Sequence, residues 1–212
     1  MRVIKSLSVL ALVALLLWAA GLTALRLGAG WTFSFTAPAA GDVLGTHNGV
    51  DVRAYGSGGS VRGEFGLEFE CVELVNRYYV QALGHRNMTK TGHAESYYWD
   101  ARHKGLVAYP NGGSEPPAVH DILVFDGGES DGSVGHVAIV TQVDLEAGAI
   151  TFVEQNMIAY TDFVFRRDIW KDTLPLLKNL DGEWFVDQGR YTLPVAGWSR
   201  LATPATQTRS AP

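Results

Sequence analysis

The pattern of apolar positions predicts a helix that begins at the single cysteine of the chain. These positions follow the spacing of one helix face: Cys71, Leu74, Val75, Tyr78 and Ala82. Gly84 follows the periodic run, where helices commonly have a glycine cap. We therefore predict a helix over residues 71–83, with the cysteine in its first turn.

Short apolar and β-branched runs predict strands in the second half of the chain. The predicted strands are residues 122–125, 136–143, 149–156, 163–166 and 198–201. The residues between the second and third of these suit a hairpin loop. A helix followed by antiparallel strands indicates the α+β class.

The segment between the predicted helix and the first strand is poor in apolar periodicity. Residues 97–103 predict a short helix, whereas the following stretch up to residue 117 is rich in glycine and proline. These two residue types interrupt regular structure, so we expect a loop there.

The first 26 residues have a different pattern from the rest of the chain. Every residue between Lys5 and Arg26 is apolar or small, and residues 7–25 as a helix would span roughly 28 Å, close to a bilayer core of about 30 Å. This run is longer than the apolar region of a typical signal peptide, so we favour a retained membrane anchor over a cleaved export signal. The basic residues before the run place the body of the protein outside the cytoplasmic membrane.

Composition and charge limit the classes of function. The chain of 212 residues is 47% hydrophobic, which suits one folded domain and excludes a disordered polymer. The net charge is −5, and the first 30 residues contain three basic and no acidic residues, so residues 31–212 carry −8. Such an acidic body argues against nucleic-acid binding as a function, because that binding depends on basic residues.

The same patterns divide the chain into four parts. Residues 1–26 form the signal or anchor, and residues 27–46, rich in Gly, Ala and Thr, are expected to be a linker. Residues 47–202 form the folded domain, and residues 203–212 are expected to be a flexible tail. A lone cysteine outside the cytoplasm cannot form an internal disulfide, so the fold depends on packing.

The predicted hairpin brings polar residues together. With a loop at residues 144–148, Ala138 lies opposite Glu154 and His136 lies opposite Asn156. Because side chains alternate between the two faces of a strand, these three polar side chains project from the same side. An imidazole at residue 136 can therefore bond either the acid or the amide.

Cys71 has the position that an activated thiol needs. The N-terminus of a helix and a neighbouring protonated histidine both favour the thiolate. A lone free cysteine is more often a buried structural residue. We nevertheless expect a nucleophile here, with His136 as its base and with Glu154 or Asn156 orienting the ring.

The motifs around these residues resemble those of a known family. In chain order they are GEFGLEFECVELVNRYY, DILVFDG, GHVAIVTQV and FVEQN. They are similar to the CHAP family, the cysteine, histidine-dependent amidohydrolases/peptidases, over about residues 47–201. The resemblance implies a papain-like fold, in which the cysteine-bearing helix packs on an antiparallel sheet, here preceded by a single hydrophobic N-terminal helix. One departure is Glu70, where family members often have glutamine.

The resemblance also implies a reaction and a substrate class. CHAP domains outside the membrane commonly cut amide bonds in peptidoglycan, so we expect a wall-peptide hydrolase in the cell envelope of a bacterium, attached to the membrane by its N-terminal helix. The alternatives are an amidase for small peptide–polyamine conjugates and an inert tethered interaction module. The histidines lack zinc-site spacing and residues 126–132 lack a calcium-loop pattern, so we expect neither cofactor nor metal.

Overall fold

The computed structural model describes residues 15, 18, 38–56, 60–85, 90–128, 134–158 and 168–202. Leu15 and Trp18 are helical. The remainder of the predicted anchor, the predicted strand at 163–166 and the predicted tail at 203–212 lie outside the described residues. Within the described ranges, no helix has the length and apolarity required to cross a membrane.

The domain combines short helices with an antiparallel sheet. The helices are α1 (Cys71–Gln81), α2 (Ser96–Trp99) and the 3-10 helix Ala101–Lys104. The strands are β1 (Val43–His47), β2 (Val50–Arg53), β3 (Val61–Arg62), β4 (Leu67–Glu68), β5 (Leu106–Pro110), β6 (Ile122–Phe125), β7 (His136–Asp144), β8 (Ala149–Ile158), β9 (Asp168–Lys178), β10 (Trp184–Val186) and β11 (Val195–Leu201).

Among the described residues, seven strands form the main sheet, in the order β10-β9-β8-β7-β6-β11-β5. Every pairing in it is antiparallel. The β1–β2 and β3–β4 pairs form separate two-stranded sheets, and β3–β4 directly precedes α1. The α+β prediction is therefore confirmed, and the arrangement of a cysteine-bearing helix with an antiparallel sheet is compatible with a papain-like fold.

Both faces of the sheet are buried. Val137, Ile139 and Val153 pack with the apolar face of α1 in one core. Ala138 and Phe152 belong to a second core on the opposite face. Alternation along the first part of β7 therefore assigns Val137 and Ile139 to the helix side, and Ala138 and Val140 to the opposite face.

The predicted helix and four of the predicted strands are present with small differences at their ends, and the strand predicted at residues 198–201 is the second half of β11. Helix α1 begins at Cys71 and ends at Gln81, and Gly84 adopts a left-handed φ of +69°. The His85 N–H then donates to the Tyr79 carbonyl at 2.8 Å, which closes the last turn. The strand predicted at residues 122–125 has those bounds in the structure.

Two regions differ from the sequence prediction. Strand β5 lies in the glycine- and proline-rich stretch for which the sequence predicts a loop. It is an edge strand paired to β11 alone among the described strands, and its Pro110 is tolerated because a sheet edge needs fewer backbone donors. Strand β1 begins at Val43, inside the segment expected to be a linker, so the ordered body begins before residue 47.

The β7–β8 hairpin reaches the predicted alignment by a different path. Ala138 pairs with Glu154 as predicted, but Asp144 pairs with Ala149, which leaves a four-residue loop. A register shift between Val140 and Gln142 compensates for the shorter loop. The pairing ends at Ala138 and Glu154, so the expected pairing of residues 136 and 156 is wrong.

Candidate active site

Cys71 is the first residue of α1 and borders a groove. Its side chain is buried, 7% exposed, and it lines a cavity of about 410 Å³. Glu70 precedes it in an extended conformation and accepts the first helical hydrogen bond, from the Leu74 N–H at 3.3 Å. No described side chain caps the helix, so its first backbone N–H groups are not occupied by a cap.

His136 is the first residue of β7 and lies between the thiol and an acid. Its Nε2 is 3.0 Å from Glu154 Oε2, and the Cys71 thiol forms a side-chain hydrogen bond with the same ring. Since Nε2 is engaged by the acid, Nδ1 is the nitrogen left for the sulfur. The strand end allows one imidazole to contact both partners.

Steric constraints explain why the residue before His136 is a glycine. Gly135 has a φ of +72°, which L side chains rarely adopt. A Cβ at this position would lie 2.6 Å from the carbonyl oxygen of Phe125. The Gly-His pair therefore allows β7 to begin close to β6.

The protonation of His136 is set by opposing influences. Burial lowers the pKa of the ring, but the charge and hydrogen bond of Cys71, followed by those of Glu154, raise it to about 10. The imidazole is therefore protonated at neutral pH. The Cys71 sulfur therefore lies beside a protonated ring.

Glu154 is held from its other side by a tyrosine. Tyr191 Oη donates to Glu154 Oε1 at 2.6 Å and is also 2.8 Å from Asp172 Oδ2, which forms an ion pair with Arg190. Burial, together with the two carboxylates, raises the pKa of Tyr191 well above its usual value. Tyr191 therefore remains a phenol and a hydrogen-bond donor, and a chain of contacts runs from Cys71 to Arg190.

Asn156 contacts the residue that precedes the cysteine. Its Nδ2 donates to Glu70 Oε2 at 2.7 Å. The residue has a φ of +57°, and the β8–β9 register shifts between Val153 and Met157. Of the two predicted orienting residues, the structure thus brings Glu154, and not Asn156, to the imidazole.

The carboxylates near the thiol have partners of their own. Ser60 Oγ donates to the second oxygen of Glu70 at 2.6 Å. Glu73 is buried and forms an ion pair with Arg77 at 2.6 Å. Gln155 Nε2 joins both, because it donates to the Glu70 carbonyl at 3.0 Å and to Glu73 Oε2 at 2.8 Å.

Sequence reasoning identified the three contacting residues and missed the residues behind them. Tyr191 and Asp172 lie far from the quoted motifs, and Asp172 is on a strand that the apolar pattern did not predict. No local pattern marks either residue as a partner of Glu154. Among the described side chains, no group of three or more His, Cys, Asp or Glu is placed to hold a metal ion.

The comparisons with known proteins give one match. A family model described as the CHAP domain matches residues 62–156. This range includes Cys71, His136 and Glu154, whereas Tyr191 and Asp172 lie beyond its end. None of the curated proteins matches the chain.

Proposed function

Residues 62–156 of this chain belong to the CHAP domain family, and from this membership we propose that the protein is a cysteine-dependent amidohydrolase or peptidase. The observation that supports the proposal most is the position of the buried His136 ring. It contacts the Cys71 thiol and lies 3.0 Å from Glu154. This is the nucleophile, base and orienting group of a catalytic triad.

The first half of the reaction forms a thioester. The Cys71 thiolate attacks the carbonyl carbon of the scissile amide, and the C=O electron pair moves to the oxygen. Backbone N–H groups of the first turn of α1 stabilise this oxyanion. The C–N bond then breaks, and protonated His136 gives its proton to the leaving amine.

The second half returns the enzyme to its starting state. Neutral His136 takes a proton from water, and the resulting hydroxide attacks the thioester carbonyl. The C–S bond breaks and releases a carboxylic acid. Glu154 keeps Nε2 engaged throughout, so that Nδ1 faces the sulfur in both halves.

We place the substrate in the cell wall. The expected N-terminal anchor would hold the domain outside the cytoplasmic membrane, where peptidoglycan peptides are available. A peptide–polyamine conjugate fits less well, because Arg62 and Lys90 line the groove beside Cys71 and would repel a polycation.

A zymogram tests the proposed reaction. The full chain, purified in detergent, should clear peptidoglycan embedded in a gel, and Cys71→Ala should leave no cleared zone. Asn156→Ala is a matched control, since its side chain contacts Glu70 and not the imidazole. Equal clearing by wild type and Cys71→Ala would reject a thiol mechanism, and no clearing by the wild type would reject the wall substrate.

A further inference from the structure

Two cationic side chains line the groove that contains Cys71. They are Arg62 and Lys90. The acid in the same lining, Glu70, has its carboxylate oxygens engaged by Ser60 and Asn156. The groove therefore offers positive charge to a substrate, although the chain as a whole carries a net charge of −5.

The Arg62 side chain makes no polar contact with the described part of the protein. It is exposed and lies on β3, where residue 62 pairs with Leu67 of β4. Within the described ranges, its guanidinium has no hydrogen-bond or ion-pair partner. A guanidinium in a groove can donate two parallel hydrogen bonds to a carboxylate.

Lys90 is held in place by two contacts and still has N–H groups that can bind a ligand. Its Nζ donates to the Glu64 carbonyl at 2.8 Å and lies 4.8 Å from the centre of the Phe65 ring. Both contacts are to the turn of the β3–β4 hairpin, which leads directly into α1. An ammonium has three N–H groups, so the fixed Lys90 still has donors for a ligand.

We propose that Arg62 and Lys90 bind a carboxylate of the substrate beside the scissile amide, which makes acidic peptides the preferred substrates. Both cations belong to or contact the one hairpin that precedes Cys71, so their position relative to the thiol is fixed by the fold. The proposal depends on the proposed function only in that the bound peptide carries the amide to be cut.

A binding experiment tests this preference without requiring turnover. The probe is a short wall peptide with free carboxylates, compared with the same peptide after its carboxylates are converted to carboxamides. Both are titrated by calorimetry into the full chain carrying Cys71→Ala, which cannot consume them. We expect the acidic peptide to bind at least about tenfold more tightly, the effect of one charge-assisted hydrogen bond.

Second substitutions in the Cys71→Ala background locate the contact. Arg62→Gln and Lys90→Met should each reduce the preference by about tenfold, and Arg62→Lys should retain part of it. Arg102→Gln is the matched control, because Arg102 is also exposed but lines a different cavity. It should leave the preference unchanged.

The outcomes separate this proposal from the proposed function. Equal binding of the acidic and the amidated peptide, or a preference that survives both groove substitutions, would overturn the carboxylate site even if the wild type cleaves wall peptides. A preference that Arg62→Gln abolishes would support the site even if the wild type cleaves neither peptide.

Discussion

At the residue scale, the charge of His136 depends on its two partners. Burial lowers its pKa, and Cys71 and Glu154 together raise it to about 10. The leaving amine needs a proton from this ring, so activity should be present below that value. It should fall as the pH rises through about 10 and the ring becomes neutral.

Glu154→Gln should alter both rate and pH dependence. The amide removes a negative charge 3.0 Å from Nε2, so the pKa of His136 falls and the alkaline limb of kcat/KM moves to lower pH. By analogy with other triads, kcat should fall by roughly 10²–10⁴-fold. Asn156→Ala should leave the limb in place, and the reverse result would make Asn156 the orienting residue.

Tyr191→Phe should move the alkaline limb of kcat/KM to higher pH, opposite to the effect of Glu154→Gln. It removes the 2.6 Å hydrogen bond to Glu154 Oε1, so the carboxylate acts more strongly on the imidazolium and the limb moves to higher pH. The lost orientation should also lower kcat by about tenfold, the effect of one hydrogen bond to a charged group. Kinetics across the alkaline range measure both effects.

Tyr79→Phe provides the control for the tyrosine. Tyr79 is also buried, and its Oη donates to the His120 carbonyl at 2.7 Å, away from Glu154. The Tyr79→Phe variant should be less stable than the wild type, but the alkaline limb of its kcat/KM should not move. If both variants leave the limb unchanged, Tyr191 has a purely structural role.

The residues of the site differ in how far the sequence predicts them. Cys71 and His136 begin regular elements, and their motifs are local, so both can be recognised from the sequence alone. The choice between Glu154 and Asn156 is not local, because it depends on a left-handed residue near the end of β8. Tyr191 is brought to Glu154 by tertiary packing alone.

At the scale of elements, two deviations in the β7–β8 hairpin cancel. A four-residue loop shifts the register by one, and the irregularity between Val140 and Gln142 shifts it back. Simple alternation therefore placed Glu154 correctly, although it missed both features. The strand pattern is encoded in the sequence, whereas a bulge depends on neighbouring strands.

Helix α1 is fixed to the sheet by a buried charge cluster. Arg77 pairs with Glu73 and also donates to the Asp51 carbonyl of β2 at 2.6 Å. Gln155 of β8 donates to the same Glu73 carboxylate at 2.8 Å. This cluster sets the distance between the helix that carries the thiol and the strand that carries Glu154.

Arg77→Met should destabilise the fold strongly. It leaves the Glu73 carboxylate buried without its cation, which typically costs about 3–5 kcal/mol of unfolding free energy. Urea denaturation measures the loss. The double variant with Glu73→Met should recover much of it, and a double variant as unstable as the sum of the single variants would contradict a coupled pair.

At the scale of the whole molecule, the proposed location and the net charge would determine access to the proposed wall substrate. The folded domain is acidic and would be repelled by anionic wall polymers. The basic groove would instead recruit carboxylates locally. With the membrane attachment expected from the sequence, an enzyme of this kind would suit short-range remodelling of the wall near the membrane.

Membrane attachment is tested by fractionation. In a bacterial host, the full chain should sediment with membranes, and protease added outside intact spheroplasts should digest the domain. A cytoplasmic marker protein, which should stay intact, is the control. Protection of the domain until the cells are lysed would place it on the cytoplasmic side.

The rate at which iodoacetamide alkylates Cys71, measured against pH, tests the activated thiol most directly. The chain has a single cysteine, so no other thiol contributes. We predict that at pH 6 the wild type reacts many-fold faster than a model peptide thiol, which ionises at about pH 8.5. We also predict that His136→Ala removes this difference in rate. A wild-type rate that follows the model peptide across this range would contradict a thiolate held beside an imidazolium.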